Sequence, residues 1–500
     1  MRPTLFRLLL QERRWDTWVV FCEQFEPMAR RLAAETNCPR LASVTVSRAT
    51  FDRWCCGEWY GRPRRDTARV LEALLGFSAD ELFSPAPETM QSRLTQTHDR
   101  GGLQASLAIS RRWPTSRLFL SAAHEVADAW ELQGRRLLDG TTTAVQFHPA
   151  SVREGAATLQ TGDLASLDGF LRPARRGLLV GVDEREEDVR LYVVDSWNAR
   201  RVRSALPGRD DAMVLSAAHL LDDLSYGILW ALVQLDDGLL ADDQVLDAEQ
   251  EALAIYLSLD RSAPSRMSVP GLSSVGASWL GSMFCARHLE RHLSDAARPP
   301  VFFTREQTGE EAATWLLYRH KVDYLRSQTH RFVGGTPLSR AFCIPEGVVR
   351  RSARYERILL FLAVALMEHH GVQVRVTPRP EFGAVDGFAL IPGQRAVVAT
   401  WVRTDALWKT DAVATAADLR HFADLFNDAG SDSVAAGPDP CGRLRVLADY
   451  LALDWGWLTV RCRELGALGV ARLVRPRSRL LSVDALNEVL RFVGRLAHLL

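Results

Sequence analysis

Lysine is nearly missing from this chain. Lys321 and Lys409 are the only two, and arginine fills the other basic positions, a bias that fits GC-rich coding and carries no mechanism of its own. Net charge is missing as well, since 61 basic side chains meet 61 acidic ones. The whole molecule is therefore no polycation, and a nucleic-acid site has to be a local patch. Long apolar runs are also missing. The longest, from Ile358 to Met367, is about half of what crosses a bilayer. The N-terminal MRPTLFRLLLQERRW has an apolar part too short, and charged too soon, for a secretory signal. These absences lead to the expectation of a soluble, cytoplasmic protein with no membrane partner.

The signatures of common catalysis are absent too. There is no GxxxxGK[ST] phosphate loop, no HExxH, no GxSxG, and no GxGxxG after a strand. Gly271 to Gly276 has only a superficial likeness to a nucleophile elbow, because no strand precedes it. The eight cysteines, at 22, 38, 55, 56, 285, 343, 441 and 462, show neither CxxC nor the spacing of a small stapled domain, so reduced thiols are expected. Cys285, His288 and His292 fall at i, i+3 and i+7, a spacing that metal ligands on one helix face use. With no fourth ligand nameable, the plainer reading is a buried cysteine and two surface histidines. His369-His370 reads as a helix C-terminus, where the dipole favours imidazole. The expectation is no enzyme, no catalytic residue, no metal and no cofactor. An enzyme acting on a metabolite through residues 116–436 is the more distant alternative.

What is present is an ordinary globular composition, 47% hydrophobic and 24% charged over 500 residues, enough for roughly three structural units. Residues 4–36 read as two helices, the second placing Trp18, Phe21, Cys22, Phe25, Met28, Ala29 and Leu32 on one face, with Asn37 and Pro39 as stops. Ser47 is placed to cap a short helix through Trp54, and Gly57 to end it. The next helix, Asp66 to Leu75, turns Val70, Leu71, Leu74 and Leu75 inward, and Gly76 ends it. Ser78 caps a last turn through Phe83. Residues 88–115 are polar and weakly periodic, which is linker-like. A helix is expected over 116–138, with Leu118, Ala122, Val126, Ala129, Trp130 and Leu137 on one side.

Further on, LLVGV and VRLYVVD read as a hairpin. Helices are expected at 212–235, 245–259, 276–294, 308–327 and 351–370. Strands follow at 372–376, 388–391 and 396–402, the last two joined by a Pro392-Gly393 turn. The acidic positions Asp236, Asp237, Asp242 and Asp243 lack calcium-loop spacing and read as solvated surface. In the tail, Arg472, Arg475, Arg477 and Arg479 crowd an expected hairpin. A winged DNA-binding element would use such a basic hairpin, although exposed arginines on a packing module are the plainer reading.

The stretch VSRATFDRWCCGEWYGRP (46–63) carries the chemistry. A DNA-reading helix needs an apolar inner face seated on a rigid scaffold and a polar outer face whose N-terminal end enters the major groove. Val46, Phe51 and Trp54 share one side. Arg48, Ala49, Asp52 and Arg53 take the other side or its edge, and Thr50 is placed to meet a phosphate or a thymine methyl. Arginine pairs with guanine O6 and N7, and a good bidentate contact discriminates by about 1–3 kcal/mol. Between Arg40 and Arg69 seven arginines face three carboxylates, a local excess of +4 on a neutral chain. Arg62, Arg64 and Arg65 follow the helix directly, where they would reach flanking phosphates.

The run Val46-Ser47-x-x-Thr50-Phe51-x-x-Trp54-x-x-Gly57, then Pro63, then Ala68–Phe83, resembles the repressor-type helix-turn-helix of XRE-family regulators. The likeness covers residues 28–84. It implies that Ser47 opens a recognition helix and that Ser47, Arg48, Ala49, Thr50, Asp52, Arg53, Arg62, Arg64 and Arg65 form the DNA-binding set. Two features depart from the family pattern. Roughly nine residues separate the preceding helix from Ser47, where a turn of about three or four is usual. Asp52 also sets a carboxylate on the reading face, where cytosine N4 is its natural contact.

Together these readings lead to the expectation of a mainly α, multidomain transcriptional regulator. Residues 1–87 would be an all-α helix-turn-helix domain, 88–115 a linker, 116–436 a larger α+β effector region and 437–500 a helical C-terminal segment. Its partners would be double-stranded DNA, a small-molecule or protein effector, and a second copy of itself, because one helix-turn-helix reads a half-site. The alternative is a protein-interaction module built on a degenerate helix-turn-helix.

Overall fold

A computed structural model describes residues 4–12, 15, 17–36, 38–56, 63–84, 97–119, 128–161, 167, 170–171, 176–184, 189–204, 212–258, 265–267, 269–305, 308–332, 337–401 and 407–497. Among the described residues helix makes up 57% and strand 21%, and the strands form two seven-stranded sheets. This is an α+β multidomain fold, which corrects the expectation of a mainly α protein. The reason is strand length. Ala212–Ser216, Ser265–Met267, Val301–Thr304 and Ser339–Cys343 are three to five residues each, too short for alternation to stand out between helices.

The chain forms two compact units. The first comprises Met1–Leu132, Thr142–Tyr192 and Val202–Val214, and the second Gln133–Thr141, Val193–Arg201 and Leu215–Leu500. The first opens with five helices, α1 (Leu5–Glu12), α2 (Trp18–Glu35), α3 (Arg48–Cys56), α4 (Arg65–Leu75) and α5 (Ala79–Phe83). Their apolar faces meet in one core that includes Phe6, Phe21, Phe25, Phe51, Trp54, Val70, Leu71 and Leu82. Gly76 ends α4 in the left-handed conformation, φ +81°, which costs glycine nothing. Ser78 then closes a reciprocal cap with Glu81: the Ser78 amide donates to Glu81 Oε2 at 2.8 Å, and the Glu81 amide donates to Ser78 Oγ at 3.3 Å.

Two further expectations for this unit are corrected. Where residues 88–115 look like a linker, Thr97–Arg112 is a helix, α6, with Ala105, Ala108 and Ile109 buried. Where 116–138 looks helical, there are strands β1 (Ser116–Phe119) and β2 (Asp128–Leu132), paired antiparallel. Leu118 and Trp130, read onto one helical face, are buried as strand residues instead, and Leu132 joins Trp130 at period two. β3 (Thr141–Arg153), β4 (Ala156–Gln160), β5 (Gly177–Glu184), β6 (Val189–Asp195) and β7 (Ala212–Ser216) complete this sheet. The expected pairing of LLVGV with VRLYVVD is present as β5 beside β6. β5 runs parallel to β3 and is buried along almost its whole length, which explains its unbroken apolar sequence.

In the second unit the strand order is β11-β10-β9-β12-β13-β14-β8. These are β8 (Ser265–Met267), β9 (Val301–Thr304), β10 (Ser339–Cys343), β11 (Gln373–Thr377), β12 (Gly387–Ile391), β13 (Arg395–Thr400) and β14 (Leu407–Val413). β9, β10 and β11 are parallel neighbours, and the remaining pairs are antiparallel. The β12–β13 turn is the expected Pro392-Gly393, with Gly393 at φ +74°. Helix Asp223–Ala241 starts where helix 212–235 was expected but later, because 212–216 is strand. The expected helix 308–327 is two, Gly309–Leu317 and Arg319–Arg331, broken at Tyr318, whose backbone bridges to Leu481. Helix Arg354–His369 is buried along most of its length, Tyr355 packing edge-on against Tyr226 and Trp230. No helix among the described residues is long and apolar enough to cross a membrane.

Candidate nucleic-acid interface

Helix α3 is seated from below by aromatic rings. Phe51 lies 5.1 Å from Phe21, and Trp54 lies 5.5 Å from Phe6 and 5.2 Å from Phe83 between ring centres. Val46, at the entry, is buried, and its carbonyl accepts a hydrogen bond from Trp18 Nε1 at 3.0 Å. One face of α3 is thus locked to α1, α2 and α5. At nine residues it is about 13 Å long, short enough to present most of its outer face to one ligand.

That outer face carries the residues read from the sequence. Ser47 lies just before α3, its Oγ accepting from the Thr50 amide at 3.2 Å and sharing a 2.8 Å bond with Thr50 Oγ1. It is an N-cap, as expected. Ser47, Arg48, Ala49, Asp52 and Arg53 are all exposed, and Thr50 is half-buried. Arg53 Nε donates to the Ala49 carbonyl at 3.0 Å, laying its side chain along the helix. Arg48 faces Asp52 across one turn at 3.9 Å. Both are well exposed, so the pair contributes at most a few tenths of a kcal/mol, and a competing phosphate or base edge can take Arg48. Arg64 and Arg65 lie exposed at the start of α4. Arg40 reaches the Asp66 carboxylate at 3.3 Å. Arg62 and Gly57 lie outside the described residues, as does Asn37.

The long connection before α3 has a structure of its own. Pro39–Ser43 is a single 3-10 turn, with Leu41 fully buried. The segment between α2 and α3 is therefore an anchored turn and not a slack insertion.

Other candidates resolve differently. Arg472, Arg475, Arg477 and Arg479 do not form a hairpin wing. Val470–Leu473 is a short helix, and the chain after it is pinned to acidic groups of its own unit. The Arg475 amide donates to Asp195 Oδ2 at 2.7 Å and its guanidinium lies over Trp197. Arg477 binds Asp236 and Asp237, and Arg479 binds Asp243 and Asp247. This also corrects the reading of the acidic segment as solvated surface, since Asp236 and Asp242 are buried. Ser273 is a helix cap, its Oγ donating to Asp242 Oδ2 at 2.6 Å. His288 is buried against Phe284 and Tyr256, and burial pushes its imidazole down to about 4. It is not the surface histidine expected. Among the described residues the metal-competent group is His369, His370 and Glu488. There Glu488 already pairs with Arg326 and lies 3.4 Å from His370 Nε2. Ser282 Oγ and His320 Nε2 share a 2.9 Å bond. Burial holds that imidazole well below its usual range, which makes it a poor general base.

The sequence reading missed a cluster inside the second unit, where Lys321, Tyr324 and Arg340 line one cavity. The one available signal was that Lys321 is one of only two lysines in the chain. Comparison with protein-family models, with curated proteins and with solved structures found no match to this chain.

Proposed function

We propose that this protein is a non-enzymatic transcriptional regulator of the cytoplasm that binds specific double-stranded DNA through α3, as a homodimer on paired half-sites. One observation carries the reading. Every apolar residue expected to anchor α3 is buried, and Ser47, Arg48, Ala49, Asp52 and Arg53 stand together on its exposed side. Arg48 and Arg53 would read guanine, and Asp52 would accept from cytosine N4. Arg64 and Arg65 would hold the backbone and supply the salt-dependent part of affinity. The resemblance to repressor-type helix-turn-helix proteins over residues 28–84 supports the same assignment.

The test is selection of bound fragments from a genomic library, followed by affinity measurement across salt concentrations. The reading requires an enriched motif and a logarithmic affinity that falls linearly with the logarithm of salt. Recovery of no enriched sequence, with salt-insensitive capture of a protein through the same helix, would replace it with the interaction-module reading.

A further inference from the structure

We infer that the second unit holds a binding site for a small oxyanion head group, a carboxylate or a phosphate, in the cavity lined by Lys321, Tyr324, Arg340 and Arg305. The cavity lies between one face of the sheet around β9, β10 and β13 and the helices Ser274–Leu293 and Arg319–Arg331, and its volume is about 80 Å³. An apolar cavity of about 150 Å³ takes a benzene ring. This one therefore suits a head group of a few heavy atoms, with any larger body extending through the open side.

Its walls are rich in donors. Lys321 and Arg340 are 3% and 6% exposed. Lys321 Nζ donates to Thr314 Oγ1 at 2.8 Å and sits 4.5 Å from the ring centres of both Trp315 and Trp401. Arg340 donates to Thr304 Oγ1 at 2.5 Å and lies 4.6 Å from the centre of the Phe302 ring and 4.8 Å from that of Trp315. Hydroxyls and ring faces fix where these two cations stand, so the site is built before any ligand arrives.

The second observation is an orphan. Tyr324 is 5% exposed and lines the same cavity, yet its Oη has no hydrogen-bond partner among the described residues. Arg305 donates through Nη1 to Asp386 at the rim, while its buried Nε also lacks a hydrogen-bond partner among them. A buried phenol without a partner carries an uncompensated desolvation cost, which native structures rarely keep without a use. Burial raises the phenol above its ordinary range, so it is a donor at neutral pH. A donor phenol beside fixed cations is complementary to an oxyanion and to no cation.

As the effector site of the proposed regulator this inference rests on the DNA-binding reading; as a binding site it does not. Calorimetry on the full chain without DNA tests it alone, with inorganic phosphate and benzoate as separate probes at constant ionic strength. Saturable binding of phosphate assigns a phosphate head group, and saturable binding of benzoate a carboxylate. For the anion that binds, Arg340→Met should weaken affinity by about 10- to 100-fold, the loss of a charge-assisted bond. Tyr324→Phe should weaken it by about 5-fold without lowering the melting temperature of the free protein. A purely structural tyrosine would instead lose stability in that variant and leave affinity unchanged. Failure of both anions to bind at millimolar concentration, or affinity untouched by both substitutions, overturns the site and leaves the DNA reading as it was.

Discussion

Replacing Asp236 by alanine should cost the second unit far more than removing the arginine that faces it. Asp236 is fully buried and accepts the backbone amides of Arg477 at 2.9 Å and Ser478 at 2.6 Å, together with Arg477 Nε at 3.2 Å. In Asp236→Ala both carboxylate oxygens go, among them Oδ1, which accepts from both backbone amides. Both amides are then left without their acceptor, at about 1–3 kcal/mol each, and a charge-assisted bond to the guanidinium is lost. The sum is on the order of 3–4 kcal/mol, within the range for breaking a buried pair from its buried side. Arg477 is 35% exposed at its side chain. Water replaces it in Arg477→Ala, where the loss should stay near 1 kcal/mol. A chain of two units unfolds in more than one step. The suitable assay is therefore hydrogen exchange of the helix Asp223–Ala241, read as opening free energy in each variant. If Asp236→Ala destabilises no more than Arg477→Ala, the tail is held by something other than this buried carboxylate.

Three further outcomes follow from the same structure. Phe51→Ala removes a ring seated against Phe21 and should destabilise the N-terminal helices by about 3–5 kcal/mol, seen as an earlier melting transition, whereas Arg48→Ala and Arg53→Ala should leave that transition in place. His219, which shares a 3.1 Å bond with Ser216 Oγ, is pushed down to about 4 by burial. Its folded form stays neutral while the unfolded chain takes up a proton below about pH 6.5. Stability should be unaffected above that pH and fall by on the order of 2–3 kcal/mol as pH drops toward 4. His219→Gln should flatten that limb of a denaturation-versus-pH curve, and an unchanged curve would refute the assignment. Arg64→Ala with Arg65→Ala should weaken DNA binding evenly across sequences and make the salt slope shallower by about 2, measured by fluorescence anisotropy on the selected site and on scrambled DNA.

Local chemistry was legible in the sequence, and distant pairing was not. Val46, Phe51 and Trp54 announce the buried side of α3 by spacing alone, and Gly76 and Ser78 mark the joint between α4 and α5 because each satisfies a backbone need within a few residues. The alternation at 372–376 and the Pro392-Gly393 turn likewise locate β11, β12 and β13. The segment 116–138 misleads because short strands holding Leu118, Ala129 and Trp130 leave apolar residues that also meet a helical template. Asp236 and Arg477 are about 240 residues apart, and neither declares its partner. Read singly, one is a solvated acid and the other a free base. The cavity donors come from three separate segments, around 305, 321–324 and 340, and only the fold brings them together. α3 itself emerges sharper than its sequence suggested, its entry being an anchored turn around Leu41 and its carboxylate resting beside Arg48.

Whether α3 reads DNA is tested most directly by the affinity of Arg48→Ala/Arg53→Ala for the selected DNA site, measured beside wild type at one salt concentration. Loss of two base contacts should cost about 2–6 kcal/mol on that site, with little change on scrambled DNA and an unchanged melting transition of the N-terminal helices. Wild-type affinity and site preference in the double variant would show that α3 does not read DNA.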